Sequence, residues 1–596
     1  MLSPDTRAVA VDLLRPPPGY RFDTAVITTY SLDLEALLAL PLATLQRVDD
    51  GIEELLEDPL ALVEPLREAA ERIRVFVDEG GIAIPRSARP LYALLEDSVH
   101  PVRAPHGGAF HPKVWVARFL DATDQPLLRV AVMSRNLTFD RSWDVALTSE
   151  GGPQGPGRRR PTRALGNLLR ELPGLATEAP PDSAVAAVET LAADAERTLF
   201  PAPEGAGDNI VFHVTGIGPK PQRWRPLETG RRTLAIAPFA NRKALKYLAD
   251  LTSGPCELVS RQDTLDALSA ADLAPWESVH VMVDAAESEP EDEASHHLSG
   301  LHAKLIVVEQ GREATWLTGS ANLTAAAFEG RNVEVMAELK GRKAGPRGMG
   351  IDRFLDAGFR GLCAPYRRSE ADTEGEAERH ARERLEAMRD TLIKDETLKV
   401  TCSDNGETWS WALVGELAIP EGIEVRAWPI SLSADQARSL ELPLTWNLPV
   451  EQLSTFVAFR LHAPEARVDD IALTLKLPAE GIPEHRLAYV LRSLIDSPEK
   501  LLRFLRALLG GLDSLVIVDE TTNPGPAASP WHMGPGGDAL LEDLMRVASR
   551  DPERLERLRS IIHDLRETES DPPLVPDDLY AIWEAVDIVV RERGTS

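Results

Sequence analysis

At 596 residues and 43% hydrophobic content, the chain is long enough for about four domains of ~150 residues and apolar enough to bury real cores. No stretch approaches the ~18 apolar residues of a membrane span, and the opening MLSPDTRAVAVDLLRPPPGY lacks the basic start and apolar run of a signal peptide, so a soluble cytoplasmic protein with no membrane partner is expected. A formal charge of −29 argues against a general nucleic-acid binder, because phosphate affinity comes largely from clustered Lys and Arg, but it leaves room for a local basic cleft.

Residues 1–200 read as a first α/β half. Within it AFHPKVWVARF and RVAVMSRNLT predict two strands joined by a turn, and they carry His111, Lys113, Ser134 and Asn136. The clearest flexible break is EGGPQGPG at 150–157, and a helix predicted over 182–199 ends at the Pro- and Gly-rich PAPEGAGDN. Arg158, Arg159, Arg160 and Arg163 follow that break; with Arg223, Arg225, Arg231 and Arg232 they read either as nucleic-acid contacts or as solvated surface.

Residues 201–365 read as a second α/β half, in which GLHAKLIVVE and TWLTGSANLT supply His302, Lys304, Ser320 and Asn322. The acidic run AESEPEDEASHH at 286–297, just before this pair, is either a solvated loop or a gate that repels substrate. The charged SEADTEGEAERHARERLEAMRDTLIKDE predicts a solvent-exposed helical connector over 366–395. Short alternating runs (TWSWALVGEL, IEVRAWPISL, LSTFVAFRLHA, DIALTLKL) predict a small antiparallel, sandwich-like β-domain over 396–480. From 481 to 596 apolar residues recur at three and four, which predicts helices; their leucine-rich faces and Trp583 either pack on themselves, dock a partner or make a homodimer. Cys256, Cys363 and Cys402 lack metal-ligand spacing, so neither a disulfide framework nor a zinc site is expected.

One constellation therefore occurs twice: His-x-Lys on a predicted strand, a turn, then Ser-x-Asn-Leu-Thr at the end of the next. His to Asn spans 25 positions in the first copy and 20 in the second, with the difference in the predicted hairpin loop. Residues two apart on a strand project to one face about 6.5 to 7 Å apart, so each His and its Lys share a space, while Val114, Val116, Leu305 and Val307 fill the opposite face of a half-buried strand.

These residues resemble the phospholipase D superfamily, within it the tyrosyl-DNA phosphodiesterase branch, which carries His-Lys-Asn in each half without the carboxylate of the lipases. Where the wider family has Asp five residues after Lys, this chain has Arg118 and Glu309. The resemblance covers roughly residues 20–365; TAVITTYSLDLEALLAL and PFANRKALKYL look like the strand-to-helix starts of the two halves. It implies two halves, each a mixed sheet flanked by helices, forming one pseudo-twofold active site. The helical tail resembles those of bacterial phospholipase-D-like proteins encoded beside helicases in phage-defence loci, which implies a helicase or ATPase partner.

Cleaving a phosphodiester without a metal or other cofactor needs cationic neutralisation of the non-bridging oxygens, an in-line nucleophile and an acid for the leaving oxygen. Lys113 and Lys304 would supply charge; Asn136, Asn322 and the Ser320 hydroxyl would donate hydrogen bonds to phosphate. The resemblance implies that His111 attacks phosphorus and His302 acts as acid and then base, although the residues alone do not fix which His plays which part. Asp144 and Glu334, which follow the two Asn at corresponding places, either orient the imidazoles, with Ser134 in support, or are ordinary strand-edge carboxylates. The expected function is a metal-independent nuclease acting on nucleic acid, foremost DNA, in anti-phage defence. A phospholipid hydrolase and a non-catalytic DNA-binding or scaffold subunit are the alternatives.

Overall fold

The run DTAVITT is rich in β-branched residues and apolar on both faces, the composition of a strand inside a covered sheet. In the computed structural model it lies in β1 (Tyr20–Thr29) of a six-stranded mixed sheet with β2 (Ile73–Asp78), β3 (Val99–Val102), β4 (Val114–Asp121), β5 (Pro126–Met133) and β6 (Ala146–Gly151). The structure describes residues 10–44, 72–139, 142–154, 162–224, 229–283, 300–369 and 375–483, with scattered positions beyond.

A second, eight-stranded sheet contains β7 (Val211–Thr215), β8 (Arg232–Ile236), β9 (Cys256–Ser260), β10 (Ser278–Met282), β11 (Leu305–Gln310), β12 (Glu313–Gly319), β13 (Glu334–Arg342) and β14 (Cys363–Pro365). The order β3-β2-β1-β4-β5-β6 in the first sheet corresponds to β10-β9-β8-β11-β12-β13 in the second. Parallel and antiparallel neighbours also occur in the same sequence.

Val114 and Val116 meet Leu305 and Val307 in one core shared by the two sheets, closed by Leu165, Leu168 and Leu172 of helix Arg163–Leu175 and Leu191 of helix Asp182–Arg197. The strands are not half buried as their alternation predicts. Trp115 and Ala117 enter a second core on the far face of the first sheet, and Ile306 and Val308 enter a third beneath helix Arg242–Asp250.

The far face of the first sheet is covered by the segment expected to be a solvated connector. Helix Glu376–Lys394 buries Ala381, Leu385, Met388 and Leu392, a stripe at helical spacing hidden in the sequence by the charges between them. The same core continues into β15 (Lys399–Asp404), β16 (Trp409–Val414), β17 (Glu424–Pro429), β19 (Leu444–Leu448), β20 (Phe456–His462) and β21 (Ile471–Lys476), with the short exposed strands β18 (Arg438–Ser439) and β22 (Ala479–Glu480) at their edges. These form two four-stranded sheets, β19-β16-β15-β22 and β18-β17-β20-β21. They are antiparallel except at β15 and β22, which run parallel.

Most of 484–596 lies outside the described residues, as do Arg158, Arg159, Arg160, Arg225 and the acidic run 286–297. Trp583 is described, and it is buried in the large core rather than displayed for a partner. Among the described residues no helix is long and apolar enough to cross a membrane.

Candidate active site

The two His-x-Lys segments lie immediately before β4 and β11, not within them as their sequence predicts. At these points the backbone leaves its own sheet to pair with the other half. Phe110 bridges Val333, His111 N donates to the Val333 carbonyl (2.9 Å), and Val333 N donates to the Ala109 carbonyl (3.0 Å). Correspondingly Trp143 bridges Leu301, Trp143 N donates to the Gly300 carbonyl (3.0 Å), and His302 N donates to the Trp143 carbonyl (3.0 Å). Gly108 permits the first approach: a Cβ there would stand 2.4 Å from the Arg331 carbonyl oxygen.

This exchange sets each His beside the residue that opens the other half's carboxylate-bearing stretch. Glu334 follows Val333, and its Oε2 accepts from His111 Nδ1 at 2.9 Å. The Ser320 hydroxyl donates to the same oxygen at 2.5 Å, and Asn332 Nδ2 donates to Oε1 at 3.1 Å. Ser320 is fully buried, and its oxygen also accepts from Val335 N. The expectation that this hydroxyl meets phosphate is therefore corrected: it anchors the carboxylate. Around the counterpart Asp144, Ser134 and Ser142 donate at 3.1 and 3.2 Å, and the Arg135 guanidinium stands 3.8 Å away.

Burial would raise Glu334, but the bond from His111, the charge of Lys113 and the bond from Ser320 outweigh it and hold the carboxyl below its usual range. An ionised carboxylate can only accept, so His111 carries its proton on Nδ1 and presents Nε2 as a lone pair. Burial, with the cations of Lys113 and Lys304, pushes the imidazole down to about 4 against the opposing pull of Glu334. The neutral imidazole is thus the form that burial favours.

Lys113 and Lys304 are 1% and 4% exposed. Each ammonium donates to the carbonyl of its own His, at 3.0 Å from Lys113 and 2.6 Å from Lys304; Lys304 also reaches the Ser134 carbonyl of the first half at 3.5 Å. Burial and the charge of Lys304 push Lys113 well below its ordinary value, so an anion entering between the two ammoniums relieves a standing repulsion. The Tyr30 ring walls this space, 5.7 Å from Lys113 Nζ and 5.1 Å from the His111 ring. Asn136 Oδ1 accepts from Ser31 N at 3.4 Å, and Asn322 Oδ1 is buried with no hydrogen-bond partner.

Tyr30, Asn332 and Asp78 belong to this neighbourhood and carry no sequence signal that separates them from ordinary strand-end residues. Asp78 accepts from Phe110 N at 2.8 Å, and burial pushes its carboxyl up to about 6. The substituted positions five after each Lys do not serve the site. Arg118 binds Asp23 (2.5 Å) and Asp194 (2.9 Å), and Glu309 accepts from Ile351 N (2.8 Å). Arg163 is exposed on its helix, 3.9 Å from Glu196, and the structure does not bring it into the cluster. Arg232, offered as a strand contact, is committed to Glu257 and Asp352. No group of three or more His, Cys, Asp or Glu placed to hold a metal ion occurs among the described residues.

No family model matches the chain, and no curated protein matches it. Among solved structures it is similar to yeast tyrosyl-DNA phosphodiesterase, at 12% identity over 56% of this chain and 86% of that one, with a TM-score of 0.35. A mutant form of the yeast enzyme shares 11% identity over 54% and 84% of the two chains at a TM-score of 0.33. Polyphosphate kinase from Porphyromonas gingivalis shares 12% over 64% and 51% at 0.33. Scores of this size say nothing of what the chain does; the geometry of the site has to carry that.

Proposed function

We propose that this chain is a metal-independent phosphodiesterase of the phospholipase D superfamily, of the tyrosyl-DNA phosphodiesterase-like type, that cleaves DNA through a phosphohistidine. The two corresponding sheets are read as halves around one pseudo-twofold site. The observation that carries the reading is the exchange between them: a buried carboxylate of one half holds the imidazole of the other, beside two buried lysines. His111 Nε2 attacks phosphorus, the bond to the leaving oxygen breaks, and His302 gives that oxygen its proton. His302 then takes a proton from water, whose oxygen attacks the phosphohistidine and releases His111. Lys113, Lys304 and the amides of Asn136 and Asn322 stabilise the charge that develops on the non-bridging oxygens. A role in anti-phage defence beside a helicase or ATPase is part of the same proposal and rests on the character of the tail.

The purified protein, incubated with labelled single- and double-stranded DNA, RNA and a nitrophenyl phosphodiester in EDTA, should cleave DNA at a rate that chelator leaves unchanged. Loss of activity in EDTA with recovery in magnesium would sink the mechanism. A lipid ester hydrolysed while every nucleic acid survives would move the chain to the phospholipid class.

The pH profile of kcat/KM should carry an unusually acidic lower limb. Because the folded protein holds His111 at about 4 and not at the ordinary 6.5, the nucleophile stays deprotonated as pH falls from 6.5 toward 4 and is lost only below. The upper limb reports loss of the proton from the His302 acid. A lower limb near pH 6.5 would show that burial does not lower the imidazole that has to be deprotonated.

A further inference from the structure

Five large apolar side chains are strongly exposed among the described residues: Phe139, Val185, Phe239, Val283 and Ile588. The two aromatic ones, each 47% exposed, both stand beside a site asparagine. Phe139 is three residues beyond Asn136, so the chain limits their Cα separation to about 11 Å. The Phe239 carbonyl accepts from Leu323 N at 3.0 Å, and Leu323 adjoins Asn322. One ring is thus mounted on each half, in loops leaving the strand ends that carry the site.

Neither corresponding position carries a ring. Ala325 occupies the position three beyond Asn322 that corresponds to Phe139. The paired bridges Leu32 to Leu137 and Ala240 to Leu323 make Ser31 the counterpart of Phe239. Ala325 is buried at the start of helix Ala325–Phe328, whereas Phe139 is exposed, so the ring is displayed where its counterpart is packed. The Arg261 guanidinium stands over one face of the Phe239 ring, 5.6 Å from its centroid, which leaves the opposite face for a base.

Resting on the phosphodiesterase reading above, we infer that Phe139 and Phe239 are stacking platforms for unpaired bases on the two sides of the scissile phosphate, which makes the chain an endonuclease for single-stranded DNA. Every base has a π-face, so two such platforms hold a strand without reading its sequence, while the lysines hold the phosphate between them. Platforms on both sides call for nucleotides on both sides, as in internal cleavage; trimming a terminal adduct needs only one. A paired base keeps its faces in the duplex stack and offers neither ring a partner.

The test compares a 5′-labelled single-stranded deoxyoligonucleotide with the same strand made abasic at the nucleotides flanking one phosphate, using wild type, Phe139→Ala, Phe239→Ala and the Phe→Trp replacements. Wild type should cut internally and bind the base-bearing strand tighter by about tenfold for each ring engaged. Each alanine should remove its own share of that preference, and tryptophan should restore it. If the alanine variants keep the full preference, or wild type releases only terminal nucleotides, the platforms are refuted while the phosphodiesterase reading stands. If wild type cleaves neither strand nor a nitrophenyl phosphodiester, both fall.

Discussion

His111→Ala is expected to lower kcat/KM by on the order of 10⁴-fold or more and to leave no covalent phosphoryl adduct, because removal of a nucleophile forfeits everything its partners were arranged to assist. Glu334 loses the imidazole it orients, and the ammoniums of Lys113 and Lys304 are left facing a phosphate that nothing attacks. His302→Ala should fail differently. The adduct on His111 can still form from a substrate with a good leaving group such as nitrophenolate, but without the base it is slow to release. Acid-quenched and neutral-quenched protein, exposed to an activated phosphodiester and analysed by peptide mass spectrometry, separates the two. An acid-labile phosphoryl mass on the peptide containing His111, accumulating in His302→Ala, is the expected result. The same mass on the His302 peptide would reverse the roles, and wild-type turnover with no adduct in any variant would remove covalent catalysis.

The second large effect is expected at Glu334. Its alanine variant leaves the His111 Nδ1 proton, the Ser320 hydroxyl and one amide hydrogen of Asn332 without their acceptor in a buried place. Each buried donor left unsatisfied costs about 1 to 3 kcal/mol, and loss of the tautomer and ring orientation should lower kcat by roughly 10² to 10⁴-fold. Glu334→Gln keeps the shape and an acceptor oxygen but not the charge, so it should recover much of the stability and less of the rate. The sign of its pH effect separates positioning from mere packing. Glu334 raises the His111 pKa, so its removal lets that value fall further and moves the acid limb of kcat/KM to lower pH. A glutamine variant with wild-type rate and an unmoved limb would leave Glu334 with a structural part only.

Two copies of His-x-Lys and Ser-x-Asn-Leu-Thr, with alternating apolar residues around them, were enough by themselves to mark the candidate site residues and the strands that adjoin them. A period-2 pattern and a repeated spacing are local properties, written within about 25 residues in each copy. The β-strand runs after residue 396 were legible for the same reason. What decided the chemistry was not local. Which carboxylate serves His111 depends on a contact 223 positions away, made because the backbone before β4 pairs with Val333 of the other half. The fate of the Ser320 hydroxyl follows from that contact, since a buried carboxylate 2.5 Å away accepts the hydrogen bond that phosphate was expected to accept. Likewise the stripe on Glu376–Lys394 becomes a core face only because the first sheet and the β-domain leave an apolar surface between them to cover. Residue types and short-range period are carried by the chain itself. Tautomer, protonation and pairing across the halves arise only when burial removes water and brings distant charges within reach of one another.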